Sequence, residues 1–285
     1  MAFFERDTRK PWPRSSPDKR DAMDPWFTSH YVQAARIACG LLAEQMPLTG
    51  TRILDFGCGD GITAAGAAAL GVGFVVGVDV HPSFAHLPER LAANTEGAAP
   101  PPNLAFVQSG PDCRLPFAPG SFDAAYSWSV FEHLPDIPAA LEALRQVLRP
   151  GGHCLIQIDP LYYSPFGSHL RRLVDSPWGH LRMSNAAFIA LAEASEDHDA
   201  NPEKDDLLYA QNDFTAYKKY LVEQFLDLNR LTVRQLLHHV EGSGLTPVRL
   251  KTTPVSSEHV PPPQLLCVHA RDDLLTSTVY LVLRR

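Results

Sequence analysis

Apolar and polar positions change their spacing repeatedly along the chain, and these changes predict strands that alternate with helices from residue 51 onward. Short runs rich in apolar and β-branched residues predict strands at 52–55, 74–78, 104–107, 122–128 and 153–158. Between them, longer runs with helical character predict helices at 62–70, 82–93 and 137–148. This alternation is typical of parallel strands joined by crossover helices, which cover the sheet on both faces.

The pattern differs at the two ends of this regular region. Residues 1–23 are polar and proline-rich, which predicts an irregular arm, and residues 24–46 have an apolar helical face that Asp24 can cap. The alternation of predicted strands and helices ends after Asp159, and residues 160–230 are rich in aromatic residues, histidine and proline. We interpret this stretch as an insertion over the open end of the sheet.

Weaker signals predict further elements within and beyond the insertion. They are helical turns at 186–194 and 214–228, an acidic loop at 193–206, a helix at 232–240, and strands at 246–251 and 278–283. Between the fourth helix and the fifth strand, residues 149–152 predict a turn. Together the pattern predicts an α/β fold: a Rossmann-like, doubly wound, mostly parallel seven-stranded sheet with an N-terminal helical arm and a lid insertion after the fifth strand.

The first predicted strand ends in a turn that is rich in glycine. Asp55 closes the strand, and Gly57, Gly59 and Gly61 follow at alternate positions. Glycine lets the backbone approach a ligand closely, and open α/β sheets bind ligands at the carboxyl ends of their strands. Asp79 ends the next strand 24 positions after Asp55, where a carboxylate can accept both hydroxyls of an adenosine ribose. The turn therefore predicts a nucleotide-like cofactor.

Two classes of cofactor fit this outline. A dinucleotide site has the spacing G-x-G-x-x-G and places a phosphate at the helix N-terminus, whereas the third glycine here, Gly61, comes one position early. Asp55 and Asp60 also flank the turn, and carboxylates repel a pyrophosphate. S-adenosylmethionine has no phosphate and carries a sulfonium and an ammonium group, so the sign of charge favours this methyl donor.

Four motifs resemble those of class I S-adenosylmethionine-dependent methyltransferases, most closely the broad type 11 group. They lie at residues 53–61, 76–79, 115–123 and 148–152, in the order and spacing of that family. The resemblance covers about residues 50–160, and residues 231–285 more weakly. We therefore divide the chain into an N-terminal arm and helix (1–49), an S-adenosylmethionine-binding core (50–160), a lid and substrate insertion (161–230) and the C-terminal part of the core sheet (231–285).

The resemblance implies roles for residues at the turn. Gly57 and Gly59, with Cys58 between them, are expected against the methionine part of S-adenosylmethionine. Asp55 is expected near its ammonium group and Asp79 on its ribose.

Further cofactor and substrate contacts are expected beyond the turn. The position that usually supplies an acid to the adenine amino group is Pro111 here, so we assign this contact to Asp112, with Cys113 beside it. At the end of the fourth strand, Ser127 is expected to contact the cofactor and Trp128 the substrate.

The chemistry requires a positioned acceptor, and a hydroxyl or amine acceptor can also need a general base. Histidine is the usual base near neutral pH, and 12 are present. His133 follows the fourth strand and His169 the fifth, which makes both of them candidate catalytic residues; the alternative for His133 is a packed residue that orients its loop. The substrate contacts that we expect after the fifth strand are Tyr162, Tyr163 and Ser168. Trp178 either adds a wall to this site or packs within the lid.

Composition limits the class of acceptor. The formal charge of -7 and the pI of about 5.9 favour a small molecule over nucleic acid. No apolar run has the length of a signal peptide or a membrane span, so a cytoplasmic location without membrane contact is expected. The five cysteines form no CxxC pair, which predicts buried reduced thiols and no metal site.

The leading hypothesis is thus a methyltransferase that acts on a small-molecule or sugar-containing acceptor. Three alternatives remain open: a protein or tRNA methyltransferase of the same fold, a catalytically silent member that binds the cofactor as a regulator, and a nicotinamide-dependent enzyme. The sequence decides neither the methylated atom nor the oligomeric state.

Overall fold

The computed structural model describes residues 25–196 and 214–285, and its centre is a seven-stranded sheet in the order β3-β2-β1-β4-β5-β7-β6. The strands are β1 (Arg52–Phe56), β2 (Phe74–Asp79), β3 (Leu104–Gln108), β4 (Phe122–Trp128), β5 (Leu148–Ile158), β6 (Thr246–Pro254) and β7 (Thr276–Arg284). Strands β1 to β5 are parallel, and β7 lies antiparallel between β5 and β6. The predicted Rossmann-like, mostly parallel sheet is confirmed, and its strand order reverses between β1 and β4.

Helices cover both faces of this sheet. They are α1 (Pro25–Phe27), α2 (Ala35–Ala43), α3 (Ile62–Ala69), α4 (Leu87–Asn94), α5 (Ile137–Val147), α6 (Gly179–Arg182), α7 (Asn185–Glu193), α8 (Phe214–Asp227), α9 (Val233–Glu241), α10 (Pro263–Leu266) and α11 (Arg271–Leu275). A π-helical segment, Thr28–Ala34, joins α1 to α2. The predicted arm at 1–23, the Asp24 cap and most of the acidic loop at 193–206 lie outside the described residues.

Two apolar layers hold the sheet between its helices. On one face, side chains of α5 and α9 such as Leu141 and Leu236 pack against the sheet, and on the other α2 and α3 bury an alanine-rich surface. The alanine-rich surface permits close packing, since Gly66 of α3 lies directly against the Tyr31 carbonyl, where a Cβ atom would clash. The N-terminal helical segment is thereby held against the helix that follows the glycine turn.

Two predicted elements differ from the structure. The helix predicted at 82–93 is divided into a 3-10 turn, Pro82–His86, and α4, because Pro88 in the first turn of α4 has no N–H to continue a helix from the preceding turn. The turn predicted at 149–152 is part of β5 instead, since Leu148 already pairs with Phe122 and the register shifts before pairing resumes at Ala124 and His153.

The segment between β5 and β6 forms its own apolar clusters. One is built around Tyr162, Leu170 and Phe188, and Trp178 packs with Leu265 and Leu274 in another. Trp178 is therefore a packed residue of this segment rather than the wall of an open site.

The structure also bears on two expectations from composition. Three of the five thiols are buried, but Cys113 is only partly buried and Cys267 is exposed, which corrects the prediction that all five are buried. Over 25–196 and 214–285, no helix has the length and apolar character needed to cross a bilayer.

Candidate cofactor and acceptor site

The glycine turn lies where the strand order reverses. The Gly57 and Cys58 N–H groups both donate to the Val78 carbonyl, at 2.8 and 3.0 Å, and so hold the turn against the end of β2. Gly57, Gly59 and Gly61 have positive φ angles of 79°, 53° and 78°. A side chain at Gly57 would clash with Val130, but no atom of the described residues lies within 4 Å of the Cβ position at Gly59. Gly59 is therefore where the backbone faces open space.

Asp79 is hydrogen-bonded to this turn. Its Oδ2 accepts from the Gly59 N–H at 2.8 Å and its Oδ1 from the His81 N–H at 2.9 Å. These bonds fix the plane of the carboxylate, and each oxygen keeps a lone pair for a further donor. The arrangement suits the paired hydroxyls of a ribose.

Asp55 is buried at the end of β1, with 2% of its surface exposed. Tyr126 on the neighbouring strand β4 donates to its Oδ2 at 2.9 Å. Burial raises the pKa of the Asp55 carboxyl to about 8; the hydrogen bond from Tyr126 partly offsets this effect, and the charges of Asp79 and Asp60 add to it. Asp55 thus lies in surroundings that hold negative charge poorly unless a cation is supplied.

Asp60, which the sequence suggested as a second acid that repels a phosphate, has structural partners of its own. Its Oδ1 accepts from the Ile62 N–H at the start of α3, and its Oδ2 accepts from the Trp26 indole and lies 3.7 Å from Arg90. Because Asp60 has a cationic partner, its charge is partly offset, and the argument against a phosphate ligand rests mainly on Asp55 and Asp79. Asp60 instead fastens the N-terminal helical segment to the turn.

Three other predicted cofactor residues have structural partners. Cys58 is 7% exposed and its sulfur packs beside Gly77. Asp112 is exposed and pairs with Arg114 at 3.4 Å, and Cys113, in a left-handed conformation with φ 58°, packs partly against the core. Among the described residues, no hydrogen bond or ion pair joins Asp112 or Cys113 to the glycine turn.

The end of β4 holds two further predicted site residues, Ser127 and Trp128. Ser127 is fully buried and its hydroxyl donates to the Phe56 carbonyl at 3.0 Å, so it joins β4 to β1 rather than presenting a free hydroxyl. Trp128 is partly buried, packs against the α2 side of the sheet and lies 6.1 Å from the Tyr280 ring. A sequence places these residues at a strand end but does not decide which face they occupy.

His133 and His169, predicted from separate parts of the chain, meet in the structure. Their ring centroids lie 5.3 Å apart at 89°, and His169 Nε2 lies 3.2 Å from the Pro160 carbonyl. Burial lowers the pKa of both imidazoles to about 4, with the charge of His133 lowering that of His169 further. His133 Nδ1 has no hydrogen-bond partner within the described residues. Both rings are neutral at pH 7 and can accept a proton.

The predicted substrate residues after β5 are mostly enclosed. Tyr162 is 6% exposed and its ring meets those of Tyr163 and His180 edge-on at 5.3 and 5.0 Å. Ser168 is 2% exposed and its hydroxyl accepts from the Leu170 N–H. Tyr163 is only partly buried and remains the most accessible of the three.

Sequence reasoning missed two buried groups at this end of the sheet, Tyr126 and Glu132. Glu132 is 3% exposed, neither carboxyl oxygen has a hydrogen-bond partner among the described residues, and burial raises its pKa to about 8. Nearby backbone groups of Glu132 and Asp159 lower the pKa of this carboxyl in part, although neither forms a full hydrogen bond with it. The acidic Glu132 within an otherwise apolar run, 130–134, was the available signal; Tyr126 gave none, because an aromatic residue is ordinary in a buried strand.

Known proteins match the same part of the chain. Residues 54–156 match the model of the methyltransferase domain family. A ubiquinone biosynthesis O-methyltransferase of Albidiferax ferrireducens is 34% identical over 106 residues, which are 37% of this chain and 40% of that protein. The matches span only 40% and 52% of the length of the first two curated relatives.

Two solved structures share the fold. A provisionally assigned sarcosine dimethylglycine methyltransferase of Galdieria sulphuraria has a TM-score of 0.53 at 14% identity, over 89% of this chain and 85% of that one. A geranyl diphosphate methyltransferase in complex with S-adenosylmethionine has a TM-score of 0.51 at 15% identity, over 88% and 85%.

The sheet order, the glycine turn and the acids that end β1 and β2 are the features that the resemblance to class I S-adenosylmethionine-dependent methyltransferases predicts. Over residues 54–156 this chain is similar to the methyltransferase domain family, and S-adenosylmethionine is the cofactor that this similarity indicates.

Proposed function

We propose that this chain transfers a methyl group from S-adenosylmethionine to an oxygen atom of a small, hydroxyl-bearing acceptor. The observation that carries the proposal is the 34% identity, within the cofactor-binding core, to a ubiquinone biosynthesis O-methyltransferase. The net charge of -7 supports a small acceptor over a nucleic acid.

The chain's own residues suit the cofactor. Gly59 leaves open space beside the turn, Asp79 offers two fixed oxygens for ribose hydroxyls, and Asp55 has a buried carboxyl suited to an ammonium group. When bound, S-adenosylmethionine supplies a methyl group bonded to a positively charged sulfur. An acceptor oxygen bonds to the methyl carbon in line, and the sulfur leaves.

The acceptor side of the proposal rests on the histidine pair. An acceptor hydroxyl must lose its proton as its oxygen becomes bonded to the methyl carbon. His133 and His169 are neutral imidazoles at pH 7, so either can accept this proton, and their lowered pKa values favour its onward passage to solvent. Tyr163 and the segment at 161–230 are proposed to orient the acceptor and to exclude water.

The experiment is a methyl-transfer assay with labelled S-adenosylmethionine and a panel of phenols, alcohols, amines and carboxylic acids. We expect label in an ether product from a hydroxyl-bearing member, and at least tenfold less label with the Asp79→Ala variant when S-adenosylmethionine is below saturation. Label only in amines would overturn O-methylation. Cofactor binding without label in any panel compound or cell extract would instead support the silent regulatory alternative.

A further inference from the structure

Asp55 and Tyr126 form a buried pair across two adjacent strands. They are direct partners in the register of β1 and β4, so their side chains leave the sheet side by side. Tyr126 is fully buried, and its hydroxyl donates to Asp55 Oδ2 at 2.9 Å. The pair lies at the carboxyl end of β1, immediately before the glycine turn.

This pair leaves one oxygen of the Asp55 carboxyl without a hydrogen bond. Within the described residues, Asp55 Oδ1 has no hydrogen-bond partner, and it is not one of the fully enclosed atoms that lack one. Buried polar groups in folded proteins are almost always paired, and a buried carboxylate with one bond out of several is costly. An oxygen in this state at the point where a sheet binds its ligand indicates a partner that comes with the ligand.

The charges around Asp55 indicate which kind of partner it is. The titratable groups that face it are Asp79 from β2, Asp60 and Cys58 from the turn, Cys39 from α2, and Tyr126 from β4. All are acids or neutral groups, and no lysine or arginine of the described residues pairs with Asp55. A cationic hydrogen-bond donor is therefore the group that this carboxyl lacks.

We propose that Tyr126 is a positioning residue for cofactor binding: its hydroxyl holds Asp55 Oδ2, so that Oδ1 accepts a hydrogen bond from the ammonium group of the cofactor. The inference rests on the proposed function, because it takes S-adenosylmethionine as the ligand. The Tyr126 hydroxyl fixes the rotation of the carboxyl and stabilises its ionised form, the form that attracts an ammonium group.

The test compares two ligands that differ in the ammonium group. S-adenosylhomocysteine carries it, whereas 5′-methylthioadenosine keeps the adenosine but lacks the amino-acid part. In Tyr126→Phe, which keeps the buried ring, the affinity for S-adenosylhomocysteine is expected to fall roughly 10- to 100-fold, the range for a hydrogen bond to a charged group. The affinity for 5′-methylthioadenosine is expected to stay within about twofold, as is that of a Tyr280→Phe control for both ligands.

Three outcomes would overturn the inference. An unchanged affinity of Tyr126→Phe for S-adenosylhomocysteine would remove the positioning role, and an equal loss for both ligands would leave Tyr126 a purely structural residue. In an Asp55→Asn background, Tyr126→Phe should add little further loss, and full additivity would also contradict the coupling. If the wild-type chain binds neither ligand, both the proposed function and the proposed role of Tyr126 fail. If the wild-type chain binds S-adenosylhomocysteine, a negative result for Tyr126→Phe overturns only the role of Tyr126.

Discussion

At the scale of single residues, burial at the carboxyl ends of the strands favours the uncharged forms of four acids and bases, two of which are the candidate catalytic histidines. Burial raises the pKa values of Asp55 and Glu132 to about 8 and lowers those of His133 and His169 to about 4. Groups with such shifted pKa values cluster at functional sites because the same burial that shifts them also excludes water from the reaction. Ligand binding at this site is therefore expected to be coupled to protons.

Cofactor binding is predicted to release close to one proton at pH 7. With a pKa of about 8, Asp55 is mostly protonated in the free protein, and a bound ammonium group favours its ionised form. Calorimetric titration with S-adenosylhomocysteine in buffers of different ionisation enthalpy measures the release directly. The Asp55→Asn variant should show none, and heats that do not depend on the buffer in the wild type would refute the coupling.

The histidine pair is predicted to affect turnover rather than cofactor binding. Replacing His133 or His169 with Asn should lower kcat by roughly 10²- to 10⁴-fold if that ring accepts the acceptor proton. Affinity for S-adenosylmethionine should change by less than about twofold. His238→Asn is the matched control, because His238 lies exposed on α9 beside Glu241. Unchanged turnover in both variants would mean that the proton leaves by another route.

Single residues also show what one sequence can and cannot predict. Asp55, Gly59 and Asp79 were predictable as neighbours because they follow the ends of adjacent strands. The partnership of Tyr126 with Asp55 was not, because it depends on the register of β1 against β4. The burial of Ser127 was not predictable for the same reason, since it follows from the face of β4 that Ser127 occupies.

At the scale of elements, the turn after β1 combines unusual backbone angles with open space. Gly59→Ala is predicted to destabilise the fold by only about 1 kcal/mol, the cost of an L side chain at positive φ, but to weaken cofactor binding at least tenfold by filling the space beside the turn.

Gly71 provides the control for this prediction. It also has a positive φ, 82°, and no described atom lies within 4 Å of its Cβ position, but it follows α3 at the end remote from the turn. Gly71→Ala should show a similar shift in thermal unfolding and unchanged cofactor affinity. Equal losses of affinity in both variants would refute the special role of the space at Gly59.

The element pattern predicted the strands and most helices because their periodicity is regular. It failed where a proline divided the helix predicted at 82–93, and where residues 149–152 are part of strand β5 instead of the expected turn. Residues 160–230 carried no regular period, so the contact between Tyr162 and His180 and the hydrogen bond from the Trp178 indole to the Tyr163 carbonyl could not be predicted.

At the scale of the whole molecule, the buried groups predict how stability depends on pH. The folded-state pKa values of Asp55 and Glu132 are raised, so the stability they contribute is present below about pH 4 and is lost as the pH rises through 8. The pKa values of His133, His169 and His180 are lowered to about 4, so their contribution is present above about pH 6.5 and is lost on acidification. Stability should therefore be greatest near pH 6.5.

The predicted loss of stability above pH 6.5 can be tested with the Glu132→Gln variant. Between pH 6.5 and 8, Glu132 stays protonated in the folded protein but is ionised in the unfolded chain, so the free energy of unfolding falls by on the order of 2 kcal/mol, at about 1.4 kcal/mol per pH unit. Urea unfolding at pH 6.5 and 8.5 should show a smaller loss in the variant by about that amount. Glu241→Gln, at an exposed site on α9, is the control. An equal loss in wild type and Glu132→Gln would contradict the buried, protonated state.

The most direct test of the central claim is a calorimetric titration of the full chain with S-adenosylmethionine and, separately, with NAD. We expect saturable binding of S-adenosylmethionine, at least tenfold weaker binding in Asp55→Asn and Asp79→Ala, and no binding of NAD. Binding of NAD with no binding of S-adenosylmethionine or S-adenosylhomocysteine would show that the site does not take the methyl donor.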